Sequence, residues 1–261
     1  MVSRLVYPTP EHEAAAHAIV DFWTSTRQVE AVLVVNSCAR GKATKDSCLD
    51  INILVQPEIL RVYFSEMEKS WELFNQTNPF IQKLKTVGKY SVVHLDVVDG
   101  IFEPTEQDEA AGPDGFELGV GNLLAYGVPI WQKGDYLAQL QQTWLPYYNE
   151  SLRTQRLAAV RFFCLNNLGH IPLMVNRGLY FQAFDRLYNA HQEFLQALFI
   201  SRRTYPIAYN KWIHEQIVDI LNLPGLYDQL IHLLEIHDFT GQDISKKGQQ
   251  LERLFEEYIL R

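Results

Sequence analysis

The stretch Val34-Val-Asn-Ser-Cys-Ala-Arg-Gly-Lys-Ala-Thr-Lys-Asp-Ser-Cys-Leu-Asp-Ile-Asn-Ile-Leu-Val55 reads as a strand, a short polar loop and a second strand. Its apolar ends belong to two β-branched runs, Val29 to Asn36 and Leu49 to Val55, each short enough for a buried strand. Ser37 stands where the first run ends. Arg40, Lys42 and Lys45 then put three positive charges into a few residues, and Gly41 lets the backbone turn or approach a ligand closely. A hydroxyl, backbone amides and cations together suit a polyphosphate, although the spacing is not the GxxxxGK[ST] of a P-loop. Asp50 and Asn52 lie two apart on the second strand and share a face, with Cys48 on the same side.

Working outward, apolar residues at helical spacing predict a helix from about Pro10 to Thr26, and Pro57 opens another to about Asn75. Tyr90 to Val98 reads as a third strand, with Asp96 and His94 on one face. Asp50 and Asp96, helped by Asn52, make a candidate set for one Mg²⁺, which takes oxygen ligands from one or two carboxylates, waters and substrate phosphates. Helices and strands alternate here, as in an α/β or α+β domain. Glu103 to Phe116 holds five acidic residues and no basic one, and reads as a solvated loop. From Gly134 the pattern turns helical. Tyr180, Phe184, Leu187, His191, Phe194 and Leu198 mark one apolar stripe. Helices are expected near 135–168, 178–201, 206–222, 224–236 and 245–260, which divides the chain into 1–133 and a helical part, 134–261.

The 261 residues suffice for one large domain or two small ones. With 31 acidic against 23 basic residues, the formal charge of −8 argues against a general nucleic-acid binder, which needs a basic surface. No apolar run approaches the roughly 20 residues that span a bilayer, so no membrane partner is expected. The first residues lack the apolar core of a signal peptide. Cys38, Cys48 and Cys164 are odd in number and contain no CxxC pair, which suggests reduced thiols rather than disulfides or structural zinc. A cytoplasmic location is the expectation.

The 34–55 stretch resembles the nucleotidyltransferase superfamily that includes the kanamycin, streptomycin and lincosamide nucleotidyltransferases and the minimal nucleotidyltransferases. The family pattern is Gly-Ser, a loop often containing Ala-Arg-Gly, then Ser-Asp-x-Asp on an apolar strand, with a third acidic residue on a later strand. Here Asn36-Ser37 stands at the Gly-Ser position, Ala39-Arg40-Gly41 matches as it stands, and Ser47-Cys48-Leu49-Asp50 lies at the Ser-Asp-x-Asp position. Without a gap, Cys48 replaces the first Asp; shifted by two, Asn52 replaces the second. Either way one paired carboxylate is missing.

The resemblance implies an α+β fold: a mixed sheet with flanking helices, then a C-terminal helical bundle. It implies transfer of a nucleoside monophosphate, AMP from ATP or another nucleoside triphosphate, to a hydroxyl acceptor, dependent on Mg²⁺. Asp50, Asn52 and Asp96 would hold the metal, and Ser37, Arg40, Gly41 and Lys42 the phosphates. Glu117 is the candidate general base on the acceptor hydroxyl. Lys211 is a candidate cation for the triphosphate, and Arg177 a weaker one. The missing carboxylate suggests the alternative of a catalytically impaired nucleotide-binding or regulatory protein. Arg186 and His191 fit the Arg-x4-His spacing of HEPN ribonucleases, but His191 lies on the apolar stripe, where a core histidine is the default.

Overall fold

A computed structural model describes residues 5–26, 28–102 and 112–260. The chain divides into two compact units, one of residues 1–102 with 122–145, the other of 103–121 with 146–261. Gly134, where the sequence suggests a boundary, lies within the second segment of the first unit. The chain leaves the first unit after Phe102, returns at Asn122 and departs again after Leu145. Most of the acidic loop, residues 103–111, lies outside the described residues.

The first unit is built on four strands, β1 (Val29–Val34), β2 (Leu49–Val55), β3 (Val93–Val98) and β4 (Val128–Gln132), in the order β3-β2-β1-β4. β1 runs antiparallel to both neighbours, whereas β2 and β3 are parallel. The sheet is therefore mixed, as expected. On one face, Val32, Val34, Leu49, Ile51 and Ile53 form a core with helices α1 (Pro10–Thr24), α3 (Pro57–Thr77) and α4 (Pro79–Leu84). Ala15, Ala16, Ile19 and Trp23 supply the α1 side, Met67 and Trp71 the α3 side. A cavity-forming truncation in this layer, such as Ile51→Ala, costs about 2–5 kcal/mol. The opposite face carries Asp50, Asn52 and Leu54 by strand alternation. The first unit is completed by α5 (Asn122–Tyr126) and α6 (Tyr136–Trp144).

β4 has no counterpart in the sequence reading. Its sequence, Val-Pro-Ile-Trp-Gln, contains Pro129, which cannot donate to a ladder. β4 is an edge strand, where proline is tolerated. The β1 run expected to reach Asn36 ends at Val34, because residues Asn36–Ala39 form a single helical turn, α2.

In the second unit, α7 (Glu150–Asn176), α8 (Tyr180–Ser201), α9 (Pro224–Leu233) and α10 (Asp243–Ile259) surround a core that includes Val160, Cys164, Ile171, Leu187, Phe194, Leu230, Leu251 and Phe255. The helix expected over 135–168 is two helices, interrupted at Pro146. Asn149 starts the second, its side-chain oxygen accepting from the Leu152 amide at 2.9 Å. That helix runs through the exposed Pro172 to Asn176, because Ile171, Met174 and Val175 remain buried in the core. Arg177 does not open the next helix. It caps the end of α7, with Gly178 at φ +72° terminating the turn. The helix expected over 206–222 is reduced to one wide turn, Glu215–Ile220, preceded by irregular chain.

Candidate functional site

Asn36 links β1 to α2 with φ +56°, in the left-handed region that disfavours most side chains and that glycine and asparagine adopt most readily. This is a physical reason for Gly or Asn before Ser37. Ser37 is buried, and its carbonyl accepts from the Lys42 amide at 2.9 Å. The Gly41 amide donates to the Cys38 carbonyl at 3.2 Å, with Gly41 at φ +67°. The backbone therefore folds back after Ser37. Lys42 and Lys45 are exposed, and Arg40 is half-buried.

The far end of the loop is pinned from two sides. His12, buried on α1, contacts the Ser47 carbonyl through Nε2 at 3.0 Å, and the Thr9 hydroxyl lies 2.9 Å from its Nδ1. An Nε2–H tautomer satisfies both contacts. The Ser91 hydroxyl donates to the Lys45 carbonyl, and the Lys89 amide donates to Asp46 Oδ1. Gly88 allows this docking: a Cβ there would lie 2.7 Å from the Lys45 carbonyl oxygen. The cationic loop is thus fixed at its root and exposed at its crest.

Asp50 follows directly. Its backbone carbonyl accepts from the Val35 amide at 3.0 Å, tying β2 to the end of β1. Its side chain is largely buried, with 7% residue exposure. The parallel register pairs Asp50 with His94 and Asn52 with Asp96. Cys48 Sγ donates to Asp50 Oδ2 at 3.4 Å, and His94 Nδ1 lies 3.4 Å from Asp50 Oδ1. The ligand atoms of Cys48, Asp50 and His94 all lie within 4.8 Å of one another. Asp96 is exposed, stands one rung further along the ladder and is not part of this group. Behind Cys48, the Cys38 thiol lies 3.8 Å from the Cys48 carbonyl. Burial pushes that thiol up to about 12, with Asp50 and then Cys48 adding to the effect.

His94 is the site residue that sequence reasoning passed over as a ligand. It was visible only as the residue two before Asp96. What selects it is the β2–β3 register, which no local pattern encodes. The resulting donor set of one carboxylate, one thiol and one imidazole does not fit the paired carboxylates of a magnesium centre.

The second unit gives Glu117 a different setting from either a surface glutamate or an available base. It is fully buried. Oε1 accepts from the Tyr148 hydroxyl at 3.0 Å and from Arg156 Nε at 3.2 Å. Oε2 accepts from Gln196 Nε2 at 2.6 Å and from Arg156 Nη2 at 3.2 Å. Arg156 also grips Asp114 through both terminal nitrogens, at 2.8 and 2.5 Å, and stacks over the Phe116 ring. Glu117 thus anchors a closed ion-pair network. Burial, with Glu117 adding, pushes the Tyr148 phenol up. Lys211 is exposed in the irregular chain before Glu215, and its carbonyl accepts from Gln216 Nε2 at 3.0 Å. His191 is a core histidine: only 4% exposed, stacked on Tyr188 and held down to about 4 by burial. Arg186 is committed to Asn167 Oδ1 at 2.9 Å.

No protein-family model matches the sequence. No curated protein matches it either. Among solved structures, the chain is similar to the crystal structure of a nucleotidyltransferase-like protein from Exiguobacterium sibiricum, with a TM-score of 0.47 and 16% identity over 94% of this chain and 74% of that chain. No helix among the described residues is long and apolar enough to cross a membrane.

Proposed function

We propose that the protein binds a nucleoside triphosphate, with ATP the leading case, at the corner between β1 and β2, and that its reaction class is transfer of a nucleoside monophosphate to a hydroxyl. The observation that carries this reading is the turn at Asn36 and Ser37. A left-handed Asn36 precedes a buried serine whose carbonyl closes the loop bearing Arg40, Lys42 and Lys45, and that loop leads straight to Asp50. This gives physical form to the motif by which the stretch resembles the nucleotidyltransferases. Ser37 and the exposed loop cations would neutralise the phosphate tail, since hydrogen bonds and ion pairs to phosphate are charge-assisted. Asp50 would face the reacting phosphate and orient the acceptor hydroxyl.

A second reading, binding without turnover, is favoured by one feature: the resemblance leaves one paired carboxylate missing, with Cys48, which lies beside Asp50, or Asn52 in its place. Calorimetric titration with a non-hydrolysable triphosphate tests the binding common to both readings. Ser37→Ala removes a hydrogen bond worth about 1.5–3 kcal/mol when the acceptor is charged, which raises Kd about 10-fold or more. Changes below about 2-fold for both Ser37→Ala and Lys42→Ala would remove the loop from the nucleotide site. Pyrophosphate release with a panel of hydroxyl acceptors then separates the readings: acceptor-dependent release selects transfer, and binding without release selects the second.

A further inference from the structure

We propose that Cys48, Asp50 and His94 form a three-ligand site for a borderline divalent transition metal, Zn²⁺ the leading case, with a fourth position open to water or a ligand oxygen. Zinc bonds of about 2.3 Å to sulfur and 2.0–2.1 Å to nitrogen or oxygen, at tetrahedral angles, separate neighbouring ligand atoms by about 3.3–3.6 Å. The two close contacts within the group, Cys48 Sγ to Asp50 Oδ2 and His94 Nδ1 to the other carboxylate oxygen, Oδ1, are each 3.4 Å. The Asp50 carboxylate lies between the other two donors, and the three sets of ligand atoms already fall within 4.8 Å.

The scaffold holds this spacing. Asp50 and His94 are register partners on adjacent parallel strands, and Cys48 directly precedes Leu49, the first residue of β2. Asp50 is nine-tenths buried, so its carboxylate is presented by packed strands rather than by a mobile loop. The His94 side chain is 65% exposed, which leaves the outer side of the group open to an arriving ion.

Donor chemistry then chooses the ion. Thiolate and imidazole suit zinc and its neighbours, whereas magnesium gains little from either. Binding releases the Cys48 thiol proton to solvent and forms the metal–sulfur bond. One thiolate and one carboxylate then balance the two charges of the ion, with His94 neutral. No redox change is involved.

The proposal does not require the nucleotide reading, because the metal is tested alone. Co²⁺, a spectroscopic stand-in for Zn²⁺, is titrated into the metal-free protein. The expected result is a thiolate-to-cobalt charge-transfer band with visible bands of tetrahedral intensity, discharged by one equivalent of Zn²⁺ and unaffected by excess Mg²⁺. Cys48→Ser should abolish the charge-transfer band. His94→Ala, at an exposed position with little risk to folding, should weaken binding at least about 10-fold. Asp96→Asn should leave the spectrum intact. The proposal is overturned if the wild type gives no such band, if Cys48→Ser retains it, or if Asp96→Asn removes it. A positive spectrum with no triphosphate binding would fail the nucleotide reading and leave the metal site standing.

Discussion

Glu193 converts burial into a pH dependence that can be measured. It lies fully buried on α8, where Oε2 accepts from Asn167 Nδ2 at 2.9 Å and Oε1 has no hydrogen-bond partner among the described residues. Burial raises its pKa from 4.5 to about 7, against smaller opposing effects from Asn167 and Arg186. The neutral acid is therefore the form the folded state prefers. Between pH 4.5 and about 7 the native protein binds more protons at this site than the unfolded chain does, so stability falls as pH rises. The 2.5 pH units separating the two values correspond to about 3 kcal/mol at about 1.36 kcal/mol per unit. This contribution is fully present below pH 4.5 and lost above about 7. Glu193→Gln keeps the shape and cannot ionise. Urea unfolding followed by far-ultraviolet circular dichroism, repeated across pH 4.5 to 8, should show the wild type losing about 3 kcal/mol relative to Glu193→Gln as pH rises. A difference that stays constant across that range would show that Glu193 does not favour the neutral acid in the folded state.

His191, two residues away, should give the opposite slope: burial holds it down to about 4 from 6.5, so its contribution is lost as pH falls through that window. His191→Phe should flatten that acid limb in the same unfolding series. Arg156→Met should destabilise the second unit by about 3–5 kcal/mol, because it strands two buried carboxylates, Asp114 and Glu117; urea midpoints check this. At Asn36, the left-handed backbone predicts that Asn36→Val costs about 1–2 kcal/mol, whereas Asn36→Gly is close to neutral by thermal unfolding.

Much of the first unit was legible because its chemistry is local. The β-branched runs mark β1 and β2, and two-residue spacing places Cys48, Asp50 and Asn52 on one side. The alternation of helices and strands left α/β and α+β both open, and the mixed sheet was expected from the family resemblance of residues 34–55 rather than from local pattern. Non-local pairing was not legible. Asp50 meets His94 rather than Asp96 because of a parallel register set between strands almost forty residues apart. β4 was hidden by Pro129, which reads as a strand breaker until its edge position is known. Pro146 and Pro172 show the same limit in helices. Each is an equal local signal, yet the chain breaks at the first and continues through the second, where buried neighbours outweigh the lost hydrogen bond. Glu117 was visible as a carboxylate, but its partners Arg156 and Gln196 lie 39 and 79 residues away and only the packed helices assemble them.

A triphosphate at the Ser37–Asp50 corner is tested by a crystal structure with a bound non-hydrolysable nucleoside triphosphate. Phosphate oxygens are expected within about 3.2 Å of the Ser37 hydroxyl and of the Arg40–Lys45 loop, with the α-phosphate toward Asp50. A nucleotide bound elsewhere on the chain, or none at saturating concentration, would contradict it.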